Sequence, residues 1–175
     1  MNEMYSKSGL HVEAFTKIVD DMQTGLYILT NKVGCEVAIT NYGAKIVSLM
    51  IPDKKGTLKD MVLGHPNIED YLKSEEPYFG AICGRTANRI ANATFSLDGI
   101  EYKLAVNNGP NSLHGGIKAL DTVFWEVKKS TENSIELFYL SADGEEGFPG
   151  NLSIWVTYTL NDDNSLDINY KAETD

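Results

Sequence analysis

Residues 151–160, NLSIWVTYTL, decide the fold class. Read at a period of two, Leu152, Ile154, Val156, Tyr158 and Leu160 fall on one side of the chain. Ser153, Thr157 and Thr159 fall on the other, with Trp155 the exception. A helix would scatter these apolar side chains around its circumference, whereas an extended chain gathers them on one face. The following run, SLDINYKAE (165–173), repeats the pattern: Leu166, Ile168, Tyr170 and Ala172 alternate with Asp167, Asn169 and Lys171. NDDNS (161–165) between them has the composition of a turn. In ATFSLDGIEYKL (93–104), Asp98-Gly99 separates two alternating runs, a strong hairpin signal. Further strands are predicted at 25–30, 35–40, 44–51, 58–63, 78–83, 122–129 and 134–141, and a short helix at NIEDYLK (67–73). Many short strands joined by polar turns predict an all-β chain, built as a sandwich or a barrel.

Composition narrows the class further. The 175 residues suggest a single domain, 1–175, large enough for a real core, and the 42% apolar content is ordinary for a globular chain. A formal net charge of −10 excludes nucleic acid and anionic membrane as natural partners, since both want a basic face. Cys35 and Cys83 are the only cysteines, too few for a disulfide framework, so a reducing, cytoplasmic setting is expected. The start, MNEMYSKSGL, lacks the apolar centre of a signal peptide, and no apolar run reaches membrane-spanning length.

Chemistry concentrates in three loops, 84–92, 105–118 and 141–150. GRTANRI (84–90) places Arg85, Asn88 and Arg89 directly after the apolar YFGAIC. Buried charge without a partner is costly, so these groups need one. Either Arg85 and Arg89 pair with acidic neighbours and brace loops, or one of them directs its planar fork of donors at ligand oxygens. In NNGPNSLHGG (107–116), His114 stands before two glycines. It is either presented to a ligand by a tight loop or is a turn histidine bonded to backbone. His11 and His65 have no such setting and are expected to pack or lie at the surface. Asp143, Glu145 and Glu146 in SADGEEGFPGNL (141–152) have the residue types for acid–base work or metal binding, but they stand equally as a solvated acidic turn. Zinc-ligand spacing, a phosphate-cradling glycine loop and a nucleophile motif are all lacking.

Five segments in order, NYGAKIVSLMIPD, DMVLG, PYFGAICGRTANRI, NSLHGG and DGEEGFPGNLSIWVTYTL, resemble the aldose 1-epimerases, or galactose mutarotases, from about Gly25 to the last residue. The resemblance implies a β-supersandwich and interconversion of the α and β anomers of a free aldohexose such as galactose or glucose, with no metal or organic cofactor. It implies that Asn88, Arg89 and His114 hydrogen-bond the sugar, with Arg85 beside them bracing the site or touching the ligand. Family members take their acid from a histidine in an NHxxFN-like motif and their base from a later glutamate. Neither matches a residue here, so the resemblance covers the amino-terminal, sugar-binding half and implies that these 175 residues alone are inactive. Two alternatives stay open: a non-catalytic carbohydrate-binding β-sandwich, and a half-domain that works only with a second chain. Strand 165–173 would then lie at an unpaired edge, and self-association or pairing with a C-terminal half is expected.

Overall fold

A computed structural model describes residues 5–19, 21–75 and 77–175. Strands β1 (Ile18–Val19) and β2 (Met22–Gln23) form a minimal hairpin. They lead into β3 (Leu26–Thr30), β4 (Glu36–Thr40), β5 (Lys45–Pro52) and β6 (Leu58–Asp60), a four-stranded antiparallel sheet in that order. Helix α1 (Ile68–Lys73) follows, its first turn capped by the Asn67 side chain, which accepts the Asp70 amide at 2.9 Å. The middle of the chain carries β7 (Arg89–Ile90), the hairpin β8 (Thr94–Leu97) and β9 (Ile100–Lys103), and β10 (Ser112–Leu113). Strands β11 (Glu126–Ser130), β12 (Ser134–Ser141), β13 (Leu152–Leu160) and β14 (Leu166–Thr174) complete a second four-stranded antiparallel sheet.

The alternation in residues 151–160 is realised as β13. Ile154, Val156, Tyr158 and Leu160 are buried and share one core with Ile135 and Leu137 of β12 and with Leu29, Val37 and Ile39 of the first sheet. The two sheets therefore face each other across apolar side chains supplied at every second position, which is the physical content of the all-β expectation. The Tyr158 hydroxyl crosses the core and donates to the Ala44 carbonyl at 2.7 Å, so even the polar tip of this tyrosine is satisfied. The first sheet is covered on its other side too: Ala38 and Val47 pack with Phe15, Ile68 and Tyr71, bringing α1 onto it. The Asp98-Gly99 turn is left-handed at both residues (φ 52° and 80°), as a two-residue hairpin requires.

Two expectations fail. Residues 78–83, predicted as a buried strand, form a turn and an irregular stretch resting on β5. Gly80 is the reason: at φ 64° it lies so close to β5 that a β-carbon would sit 2.0 Å from the Ile46 carbonyl oxygen. The Ile46 amide bonds to Gly80 O (3.0 Å) and the Ile82 amide to Gly43 O (3.3 Å), so the segment is tied down without a ladder. Of its apolar residues only Ile82 reaches the core. The strand predicted at 122–129 begins later, at Glu126, because residues before it cross between the sheets; the Trp125 amide bonds to Asn41 O (2.9 Å) and its indole to Leu120 O (3.0 Å).

Candidate sugar-binding site

Asn88, Arg89 and His114 come together at a two-rung ladder. In β7, Arg89 stands opposite Leu113 of β10, and Ile90 opposite Ser112. Asn88 immediately precedes β7 and His114 immediately follows β10, so antiparallel pairing makes them neighbours. Both are left-handed, with φ 63° and 51°. Such non-glycine positions persist where surrounding bonds over-determine them, and here the bonds are mutual. The His114 amide donates to Asn88 O (2.9 Å) and the Asn88 amide donates to His114 Nδ1 (3.1 Å). Because a backbone amide can only donate, Nδ1 accepts, and the neutral imidazole keeps its proton on Nε2. The asparagine run before β10 supports the turn: Asn107 takes the Leu113 amide on Oδ1 (2.6 Å) and donates Nδ2 to the Leu113 and Gly116 carbonyls (2.9 and 2.7 Å).

Arg89 is exposed. Among the described residues its side-chain partners are two amides: Nε donates to Asn108 Oδ1 (2.8 Å) and Nη1 to Asn88 Oδ1 (3.1 Å). The rest of its donor fork faces outward beside the Asn88 amide and the half-buried imidazole. Lys45 and Asp121 are a pair of buried charges. Lys45 donates Nζ to the Asp121 carbonyl oxygen. Burial pulls its ammonium down to about 8, partly opposed by Asp121. Burial pushes the Asp121 carboxyl up, while Lys45 draws it down.

Arg85, close by in sequence, is bonded elsewhere. Nε donates to Ser141 Oγ (2.9 Å), Nη1 to Pro149 O (2.9 Å), and Nη2 to the carbonyls of Ser141, Ala142 and Gly150 (2.9, 3.0 and 3.0 Å). Its guanidinium carbon lies 5.8 Å from the centre of the Phe148 ring. The structure thus brings together Asn88, Arg89 and His114 and assigns Arg85 to bracing loop 141–150. The carboxylates of that loop are committed as well: Glu145 accepts the Tyr139 and Ser141 hydroxyls, and Glu146 accepts the Ile117 and Lys118 amides. No group of three or more His, Cys, Asp or Glu among the described residues is placed to hold a metal.

Gly84 joins the two regions. Its amide donates to His114 O (3.0 Å), and a β-carbon there would lie 2.4 Å from that oxygen and 2.6 Å from the Gly115 α-carbon. His65, expected to pack or lie at the surface, packs against Tyr71 and Phe79, with ring centres 4.8 and 5.5 Å away. His11 lies edge-on to Tyr5 at 4.6 Å. The ring centre of Tyr78, a residue of the apolar 78–83 run that no motif singles out, is 4.9 Å from that of His114. Asn108, the residue that orients Arg89, is not singled out either, although the Asn107-Asn108 pair in a turn-rich run is the available signal.

The family model described as aldose 1-epimerase matches residues 25–175. A galactose mutarotase from Sus scrofa is 52% identical over 137 residues, covering 78% of this chain and 39% of its own length. An aldose 1-epimerase from Escherichia coli K12 is 37% identical over 150 residues, covering 86% and 43%. Among solved structures, an aldose epimerase homologue from C. elegans superposes with a TM-score of 0.83 at 38% identity, covering 87% of this chain and 46% of that one. A galactose 1-epimerase from Lactobacillus acidophilus gives 0.79 at 26% identity, covering 91% and 47%. The chain spans less than half the length of these relatives. No described helix is long and apolar enough to cross a membrane.

Proposed function

Because this chain belongs to the aldose 1-epimerase family, we propose that it supplies the sugar-binding side of a site that interconverts the α and β anomers of a free aldohexose such as galactose or glucose. Asn88, Arg89 and His114 hold hydroxyls of the sugar, and the acid and base come from residues outside 1–175. The observation that carries this reading is the reciprocal Asn88–His114 bonding with Arg89 alongside. It leaves the Asn88 amide nitrogen, part of a guanidinium fork and the His114 Nε2–H without a hydrogen-bond partner among the described residues, a donor-rich set matched to a ring of hydroxyls.

Anomerisation needs a base to take the anomeric hydroxyl proton and an acid to protonate the ring oxygen. The ring opens, the bond to the anomeric carbon rotates, and reclosure gives the other anomer. In this chain the groups nearest that chemistry are occupied. His114 Nδ1 is held by a backbone amide, Glu145 accepts the Tyr139 and Ser141 hydroxyls, and Glu146 accepts the Ile117 and Lys118 amides. They serve position rather than proton transfer. Acid and base each contribute about two to four orders of magnitude in rate, so the 175-residue chain is expected to leave mutarotation at its solvent rate. Polarimetry on the pure chain tests this; family-like turnover would contradict placing the acid and base elsewhere.

Residues 1–175 act as one body in this proposal, within a β-supersandwich. A reducing, cytoplasmic setting fits the two unpaired cysteines, Cys35 buried and Cys83 exposed. Strand β14 ends the order of its sheet, and Ile168 and Tyr170 on it are 40% and 61% exposed. An open edge beside exposed apolar side chains favours pairing with further strands or a second copy. Sedimentation that shows a concentration-independent monomer would contradict that part of the proposal.

A further inference from the structure

Tyr78 has no part in the site as described so far, yet it stands at its margin. The turn through residues 77–80 is pinned to β5 by the Ile46 amide and by the close approach of Gly80. The two aromatic residues of that turn go different ways. Phe79 packs on His65. Tyr78 stays 42% exposed, its ring tilted 59° to the His114 imidazole with 4.9 Å between centres. Arg89, Asp121 and Cys83 are all close enough to act on Tyr78 electrostatically. An exposed aromatic ring fixed on a rigid turn loses little freedom when it is covered. Small-ligand sites typically combine such apolar walls with a few placed polar groups.

We propose that Tyr78 is a sugar-contacting residue: its ring forms the apolar wall of the Asn88–Arg89–His114 cluster and takes the C–H side of a pyranose whose hydroxyls those three residues hold. The inference rests on the proposed sugar-binding role of that cluster. A pyranose has hydroxyls around its rim and C–H bonds on its faces, so polar donors alone leave a face uncovered. Tyr78 is the aromatic side chain against His114 that supplies the complementary surface. The contact selects for the pyranose form and for a ring with C–H bonds grouped on one face. It also holds the imidazole in the plane that its Nδ1 bond defines.

The test uses the chain with free galactose as probe. Ring signals of Tyr78 in ¹³C-tyrosine protein, assigned by their absence in Tyr78→Phe, are expected to shift on titration. Affinity is expected to stay near wild type in Tyr78→Phe, which keeps the ring, and to weaken roughly three- to tenfold in Tyr78→Leu, which removes it. A purely structural tyrosine would give no sugar-dependent ring shift. Unchanged affinity in Tyr78→Leu together with loss in Arg89→Ala overturns this inference and leaves the cluster standing. Unchanged affinity in Arg89→Ala as well overturns both, whereas a Tyr78 ring that does not shift while galactose binds overturns this inference alone.

Discussion

Arg85 and Arg89 belong to one short motif and have opposite fates. Arg85 turns inward and makes five hydrogen bonds to loop 141–150, four of them to backbone carbonyls. Arg89 turns outward and is oriented by two asparagine amides. The difference comes from the backbone between them. Left-handed Asn88 starts the β7–β10 ladder, redirecting the chain so that neighbouring cations serve different surroundings. A cation whose donors are committed to the chain itself, mostly to carbonyls, builds the scaffold. One whose fork is only half used is available to a ligand. Lys45, buried and bonded to Asp121 O, falls with Arg85.

The largest effect expected from this contrast is in Arg85→Ala. The change leaves the carbonyls of Ser141, Ala142, Pro149 and Gly150 without their donor, and should destabilise the chain by about 3 kcal/mol. Urea unfolding measures it; a loss below that of Arg89→Ala would reverse the assignment.

Lys45 gives the next effect, through pH. Its folded-state value of about 8 lies below the ordinary lysine value, so between these the unfolded chain binds the extra proton. Stability should therefore rise from pH 8 toward pH 10, with a contribution on the order of 2 kcal/mol. Burial pushes Tyr71 the other way, up to about 12, so its contribution is lost as pH rises above the ordinary tyrosine range. The difference between wild type and Lys45→Met across pH 7–10 isolates the lysine. A flat difference would show that its charge is tolerated without cost.

Gly84→Ala probes the joint between the two regions. The added methyl collides with the His114 carbonyl and should cost about 1–3 kcal/mol as overpacking. It should also weaken sugar binding by displacing His114, which calorimetric titration would register. A smaller effect is expected from Asn108→Ala, which frees one donor of an exposed arginine. Stability should change by about 0.5 kcal/mol or less, with a modest loss of galactose affinity on titration. A large stability loss here would mean that Arg89, too, is scaffold.

How much of this was legible in the sequence depends on periodicity. β13 could be read because it buries every second residue, β14 because its apolar residues alternate in sequence although the strand is exposed from Asp167 onward, and the β8–β9 hairpin because Asp98-Gly99 demands left-handed backbone at both positions. Residues 78–83 could not, because an apolar run has no period to betray it, and the close approach of Gly80 to β5 is a tertiary fact. Asn88, Arg89 and His114 were found through family resemblance; their meeting required the pairing of β7 with β10, two-residue strands too short to carry a pattern. That Arg85 serves loop 141–150 was beyond reach for the same reason, since its partners lie more than fifty positions away and are mostly carbonyls, which every residue possesses.

The division of labour between the two arginines is tested most directly by one titration. Galactose is added to wild type and to Arg89→Ala in a calorimeter, with the thermal melt of each recorded beside it. Arg89→Ala is expected to lose roughly tenfold or more in affinity, the consequence of deleting a charged donor, while the melts coincide. Equal affinities, or a loss that appears only together with a lowered melt, would contradict that division of labour.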